Sequence, residues 1–265
     1  MSFSHEVKKE LFSLTTISKH QDLAELSSIF YFLNINLNKE NITFSENKDM
    51  LNRIYLLIEK SNVKLNKDNL NIDNYLNKKL YSDALRGAFI SCGSILNPEN
   101  EYHLEFNIHS KEMCETLIKM FKLCPTLNYS PPIVNRRNRY VIYLKENEKI
   151  IDFLTFIGAQ QSAMKFIQIK MLKEVRNNVN RSTNFETANL SKITNSSTEQ
   201  VKAIKKIQKK IGLDSLPEYL KETAILRLNN PYVSLKELST FYKNPVSKSG
   251  VNHRLKKIVK ISSTL

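Results

Sequence analysis

Near the end of the chain, the segment PVSKSGVNHRLKKI sets hydrogen-bonding and cationic side chains among apolar ones at helical spacing. For a helix starting near Ser247, Val251, Leu255 and Ile258 fall on one stripe. At about 100° per residue, Ser249, Asn252, His253, Lys256 and Lys257 project from the opposite face, with Arg254 on the flank. Asn and Lys side chains reach base edges in a DNA major groove, while Lys and Arg neutralise backbone phosphates. Ser249, Asn252, His253 and Lys256 therefore read as contacts at or near base edges, and Lys248, Arg254 and Lys257 as phosphate contacts. The competing reading of the same pattern is a small helical bundle with a solvated basic face.

The elements that must position these residues are legible upstream. Ser234 and Glu237 have capping-box spacing and open a short helix whose Leu235, Leu238, Phe241 and Tyr242 point one way, and residues 243–246 make the turn. A short helix, a turn and a second helix with outward polar residues form the helix-turn-helix pattern. Pro217 suits the start of an earlier helix with Leu216, Leu220, Ala224 and Leu228 along one side, and Pro231 closes it. Ser197 and Gln200 repeat the capping-box spacing. They predict a helix carrying Val201, Ile204, Ile207 and Ile211 inward, Lys202, Lys205, Lys206, Lys209 and Lys210 off the stripe as a solvated face, and Gly212 as its stop. Residues 162–181 read as one joining helix, with Met164, Ile167, Met171 and Val175 as its core stripe. Arg176, Asn177, Asn180 and Arg181 at its end either orient the modules or touch DNA.

Charge divides along the same line. Residues 151–265 hold 20 Lys and Arg against 8 Asp and Glu, so a net +12 of the chain's +14 lies there. A step this abrupt points to a separate basic module with a polyanionic partner. The 265 residues, 41% hydrophobic and 25% charged, suit a soluble protein with one large or two modest cores. The polar N-terminus reads as no signal peptide, and no apolar run approaches the ~20 residues of a membrane span. Cys92, Cys114 and Cys124, an odd number, read as reduced thiols, so a cytoplasmic protein is expected, and one associated with the nucleoid if the basic module binds DNA.

Other constellations are weaker. His103 and His109 with the cysteines lack the close ligand pairs of a zinc site. Cys92 has no base assigned beside it, and the SKSG of 247–250 lacks the upstream glycine of a phosphate loop. No metal, cofactor, catalytic residue or small-molecule substrate is expected. Arg136, Arg137 and Arg139 beside Tyr140 form a basic hairpin, read as a solvated tip ahead of a phosphate contact.

The order RNNVNRSTNFETANLSK, LPEYLKETAILRL, SLKEL and PVSKSGVNHRLKKI from about 176 to 258 resembles the WhiA family of bacterial regulators. LRGAFISCGSI at 85–95, YHLEF at 102–106 and NRYVIYLKENEKIIDFLTFIGA at 138–159 are similar to that family's central domain. The resemblance implies an α+β fold: a LAGLIDADG homing-endonuclease-like domain of two αββ-type halves, then an all-α helix-turn-helix domain like region four of sigma factors. The expected boundaries are a first half at 1–80, a second half at 81–160, a connecting helix at 161–181 and the DNA-binding domain at 182–265. It implies double-stranded DNA as partner and a regulatory role in cell division and chromosome segregation, or sporulation in some relatives. The first domain is left three readings: contact with another regulatory protein, positioning of the DNA-binding domain, or weak non-specific DNA affinity.

In LAGLIDADG nucleases an acid near the end of each of two paired helices binds divalent metal. Aligned with LAGLIDADGSI, residues 85–95 put Cys92 at the acid's position, Gly87 where the helices approach, and Gly93 and Ser94 in the turn to a strand. In the first copy, 23–35, the acid's position falls near the apolar Leu33, and Asp22 and Glu25 lie at the wrong end. A thiol and a leucine do not supply the oxygen ligands Mg²⁺ prefers, so no cleavage is expected. Segments 101–110 and 139–147 alternate as strands, 41–47 reads as a strand, 53–66 is ambiguous between helix and strand, and 62–79 has no clear pattern. The rival functions are a metal-dependent homing-type endonuclease and a non-specific nucleoid or scaffold protein.

Overall fold

The computed structural model describes residues 2–35, 47–63, 65–66, 68–76, 78–136 and 139–265. They fall into two units, Met1–Glu174 and Val175–Leu265. The first unit runs α1 (Phe3–Phe12), α2 (Lys19–Phe32), α3 (Lys48–Ser61), α4 (Ile72–Leu76), α5 (Tyr81–Cys92), β1 (Gly93–Ile95), β2 (Leu104–Ile108), α6 (Lys111–Leu123), β3 (Ile133–Arg136), β4 (Arg139–Leu144) and α7 (Asn147–Phe156). The helix α8 (Gln160–Lys210) begins in the first unit and ends in the second. Then come a 3₁₀ turn (Leu213–Ser215), α9 (Glu218–Asn229), α10 (Leu235–Leu238), a second 3₁₀ turn (Ser239–Phe241) and α11 (Lys248–Thr264). Among the described residues no helix is long and apolar enough to cross a membrane.

Helix α2 starts at a capping box between Ser18 and Gln21 and buries Leu23, Leu26, Ile29 and Phe30. Its neighbour α5 approaches so closely that a Cβ on Gly87 would stand 2.4 Å from the Glu25 carbonyl oxygen and 2.8 Å from Ser28 Cβ. The same contact lets Ser28 Oγ donate to the Ala84 carbonyl at 2.6 Å. The close pairing expected from Gly87 is therefore present. At Gly93 a Cβ would lie 2.4 Å from a Phe89 ring carbon, so only glycine turns the chain straight into β1.

The four strands form one antiparallel sheet in the order β1-β2-β4-β3. Alternation puts Leu104, Phe106 and Ile108 of β2 and Ile142 and Leu144 of β4 inward, and all five are buried. There Phe106 and Phe89 meet Phe121 and Phe153, with ring centroids 5.5–6.1 Å apart. Among the described residues the strands all follow α5, and the elements of the first half are helices. The strand expected at 41–47 lies, apart from Asn47, outside the described residues. Of the ambiguous segment 53–66, residues 53–61 belong to α3, which is helical because Met50, Ile54 and Leu57 make a buried stripe of period three to four.

Helix α8 overturns two expectations. Met164, Met171 and Val175 are exposed, and the buried positions are Ser162, Ala163 and Phe166. The Glu10 carboxylate accepts from the amides of Gln161 and Ser162 at 2.7 and 2.9 Å and from Ser162 Oγ at 2.5 Å. That cap, supplied from 151 residues away, sets which face of the helix turns inward. Second, no helix starts at Ser197. Its Oγ donates to the Pro231 carbonyl, Gln200 is buried, and α8 continues through both to Lys210, two residues before Gly212, where φ is +77°.

In the second unit Ile204, Ile207, Leu216, Leu220, Ala224, Leu238, Tyr242, Val251, Leu255 and Ile258 form the core, while Ile211 at the end of α8 is exposed. The expected capping box opens α10: Glu237 N donates to Ser234 Oγ at 3.2 Å, and Ser234 N to Glu237 Oε2 at 2.9 Å. Phe241 departs from its expected inward direction. Helix α10 gives way after Leu238 to a 3₁₀ turn, and that change of winding buries Leu238 and Tyr242 but leaves Phe241 exposed.

Candidate nucleic-acid interface

Helix α11 begins where Ser247 Oγ accepts from the Gly250 amide at 3.2 Å, the N-cap expected from the sequence. Val251, Leu255 and Ile258 are buried against the second unit's core, which fixes the helix rotation. Lys248, Ser249, His253, Lys256 and Lys257 are consequently exposed, with Asn252 half-buried at the margin. Lys260 is exposed one turn beyond Lys256 and extends the basic face, a continuation that the same spacing would have revealed.

Arg254 stands apart from these. Its guanidinium lies 5.2 Å from the Tyr242 ring centre and 5.6 Å from that of Tyr219, with Glu222 Oε2 at 3.9 Å from Nη1. It is a packed cation between α9 and α11 rather than a free arm. Tyr242 OH donates to Thr223 Oγ1 at 3.0 Å, tying the turn before α11 to α9. Arg227, buried on α9, donates through Nη1 to the Asn230 and Val233 carbonyls at 3.2 and 2.9 Å and so holds the loop into α10. Sequence reasoning passed over it, although an arginine between the apolar Ala224 and Leu228 was a signal.

At the LAGLIDADG-like helix ends, the residues present do not fit a metal. Cys92 closes α5 with Sγ 3.3 Å from the Ala88 carbonyl, and burial pushes its thiol up to about 12 despite the nearby Lys8 ammonium. A thiol at that value is protonated at neutral pH and is neither a hard ligand nor a nucleophile. Lys8 Nζ donates to the Ile90 carbonyl at 3.0 Å, setting a cation at this helix end. Leu33, the corresponding position of α2, packs against the apolar core. The nearest misplaced acid is also committed. Glu25 accepts from Arg53 Nε and Nη2, each at 2.8 Å, and from Arg86 Nη1 at 3.1 Å, which in turn holds Asp83 at 2.9 Å. All four side chains are buried, two carboxylates against two guanidiniums.

The hairpin arginines Arg136 and Arg139 sit directly across from each other between β3 and β4. Arg137 lies outside the described residues.

Two family models match the chain: the WhiA LAGLIDADG-like domain over residues 81–176 and the WhiA C-terminal HTH domain over residues 179–262. The Probable cell division protein WhiA of Clostridium beijerinckii is 38% identical to it, covering 100% of this chain and 99% of that protein. The chain belongs to the WhiA family. That alignment runs over 315 positions against 265 residues here, so at least 50 positions of the relative have no counterpart in this chain. The WhiA of Caldicellulosiruptor saccharolyticus is 50% identical over 181 residues, covering 68% of this chain and 55% of that protein. The crystal structure of full-length DUF199/WhiA from Thermatoga maritima superimposes with a TM-score of 0.64 at 29% identity, covering 100% of this chain and 99% of that one. The isolated N-terminal LAGLIDADG domain of DUF199/WhiA gives 0.52 at 26% identity over 60% of this chain and 94% of that one. The mixed α+β fold with a helical C-terminal region is thus that of WhiA.

Proposed function

We propose that this chain is a sequence-specific double-stranded DNA-binding protein that regulates transcription without cutting DNA, with residues 182–265 as the binding module. The observation that carries this reading is the face of α11 on which Ser249, His253, Lys256 and Lys257 stand exposed beside Asn252, opposite a buried apolar stripe. Lys256, Lys257 and Lys248 act on phosphates and near base edges, and Arg254 acts by holding α11 against α9. The relatives' name supports a role in cell division, with chromosome segregation as its natural extension for a nucleoid-bound regulator.

Asn252→Ala is expected to erode discrimination between operator and random duplex by ~1–3 kcal/mol, the worth of one bidentate base contact, while random-duplex affinity changes little. Competition binding at fixed salt measures the ratio, and an unchanged ratio removes Asn252 from base reading. For the absent cleavage, purified protein with Mg²⁺ or Mn²⁺ is expected to leave supercoiled plasmid intact, as is the Cys92→Asp variant, because Leu33 and Lys8 remain. Nicking that disappears on mutating a nearby acid would restore the nuclease reading.

A further inference from the structure

A cleft of about 470 Å³ opens within the second unit between α8 and the start of α10, at the foot of α11. Its volume lies in the range of small-ligand sites. Lys192, Lys236 and Lys248 line it, and no Asp or Glu does. Lys192 and Lys236 are exposed, and Lys248 is also the first residue of α11.

One buried side chain that lines this cleft has an unmet hydrogen-bond donor. Arg227 is 2% exposed and engages loop carbonyls through Nη1, yet its Nε has no hydrogen-bond partner and no carboxylate pairs with it among the described residues. Orphaned buried polar atoms are uncommon, because each carries its full desolvation cost. An unpaired buried guanidinium is more costly still. A buried guanidinium N–H beside three ammonium groups forms a donor set suited to one ligand chemistry, a phosphate oxyanion.

We infer that this cleft binds a phosphate group, in the first place a phosphodiester of the duplex that α11 reads. Lys248 belongs to both surfaces and links them. The source of the phosphate rests on the DNA-binding reading above, but the site does not. Bound there, one backbone phosphate would fix the register of α11 without contacting a base.

The test uses the full chain as wild type, as Lys192→Ala/Lys236→Ala, whose lysines are exposed, and as Arg227→Lys, which keeps the cation and removes the unpartnered Nε donor. In one arm, melting temperature is followed in sodium phosphate, with chloride holding ionic strength constant. The general salting effect of phosphate is common to all three proteins. A saturable rise in the wild type that is lost in both variants is expected. In the other arm, duplex affinity is measured against salt. The log–log slope of Lys192→Ala/Lys236→Ala is expected to fall by ~0.9, the value for one neutralised phosphate. A lost phosphate response with an unchanged slope would assign the cleft to free phosphate groups instead of the DNA backbone. Identical phosphate responses and identical slopes in all three proteins would overturn the site while leaving the DNA reading intact. A wild type that binds no duplex but keeps the phosphate response would retain the site and remove the DNA reading.

Discussion

Glu25→Ala is expected to cost about 3–5 kcal/mol of unfolding free energy, the usual effect of removing one partner of a buried ion pair. The carboxylate meets Arg53 with two parallel hydrogen bonds at 2.8 Å and Arg86 at 3.1 Å, all out of water. Without it Arg86 keeps Asp83, whereas Arg53, among the described residues, keeps the carbonyls of Phe12 and Leu14 and no carboxylate. Since domains are stable by only ~5–15 kcal/mol, the loss should be plain in a urea titration followed by far-ultraviolet circular dichroism. Adding Arg53→Met to Glu25→Ala is expected to recover much of it, because the cost lies in the orphaned charge and not in the lost contact. A Glu25→Ala midpoint equal to that of the wild type would contradict this account of the α2–α3–α5 junction.

Lys256→Glu with Lys257→Glu is expected to weaken binding to every duplex, operator and random alike. Each neutralised phosphate contributes ~0.9 to the salt exponent, so two lost contacts at about 0.1 M salt amount to roughly 60-fold. Reversing the charge adds repulsion and takes the loss to about 100-fold or more. The salt slope should fall by about 2 in the same titrations. Both residues are exposed on α11, and the second unit's core is made by Val251, Leu255 and Ile258 on the other side, so the fold should survive. Affinities within a factor of two of wild type would mean that this face is only solvated.

What the sequence disclosed and what it hid divide by the range of the interactions. The N-cap at Ser247, the box at Ser234 and Glu237, the inward stripe of α11 and the approach at Gly87 rest on local spacing or on one small residue, and all are present. The rotation of α8 was hidden because its cap, Glu10, is 151 residues away. The continuity of α8 was hidden because residues 182–198 are rich in Ser, Thr and Asn, which favour caps over helix interiors, and because Ser197 spends its hydroxyl on Pro231. In the candidate interface, helix periodicity marked the exposed face but could not show that Arg254 is held between Tyr219 and Tyr242, which lie on other elements. Glu25 looked like a stray acid until Arg53 and Arg86, 28 and 61 residues later, were seen to close on it.

The central claim is recognition of a DNA sequence. Its most direct test is to mix the purified chain with fragments of its own genome at near-physiological salt, in excess random competitor, and to sequence what is retained. Enrichment of a shared short motif, lost with Asn252→Ala, is the predicted result. Uniform retention across the genome would contradict it and leave a protein that grips only the DNA backbone.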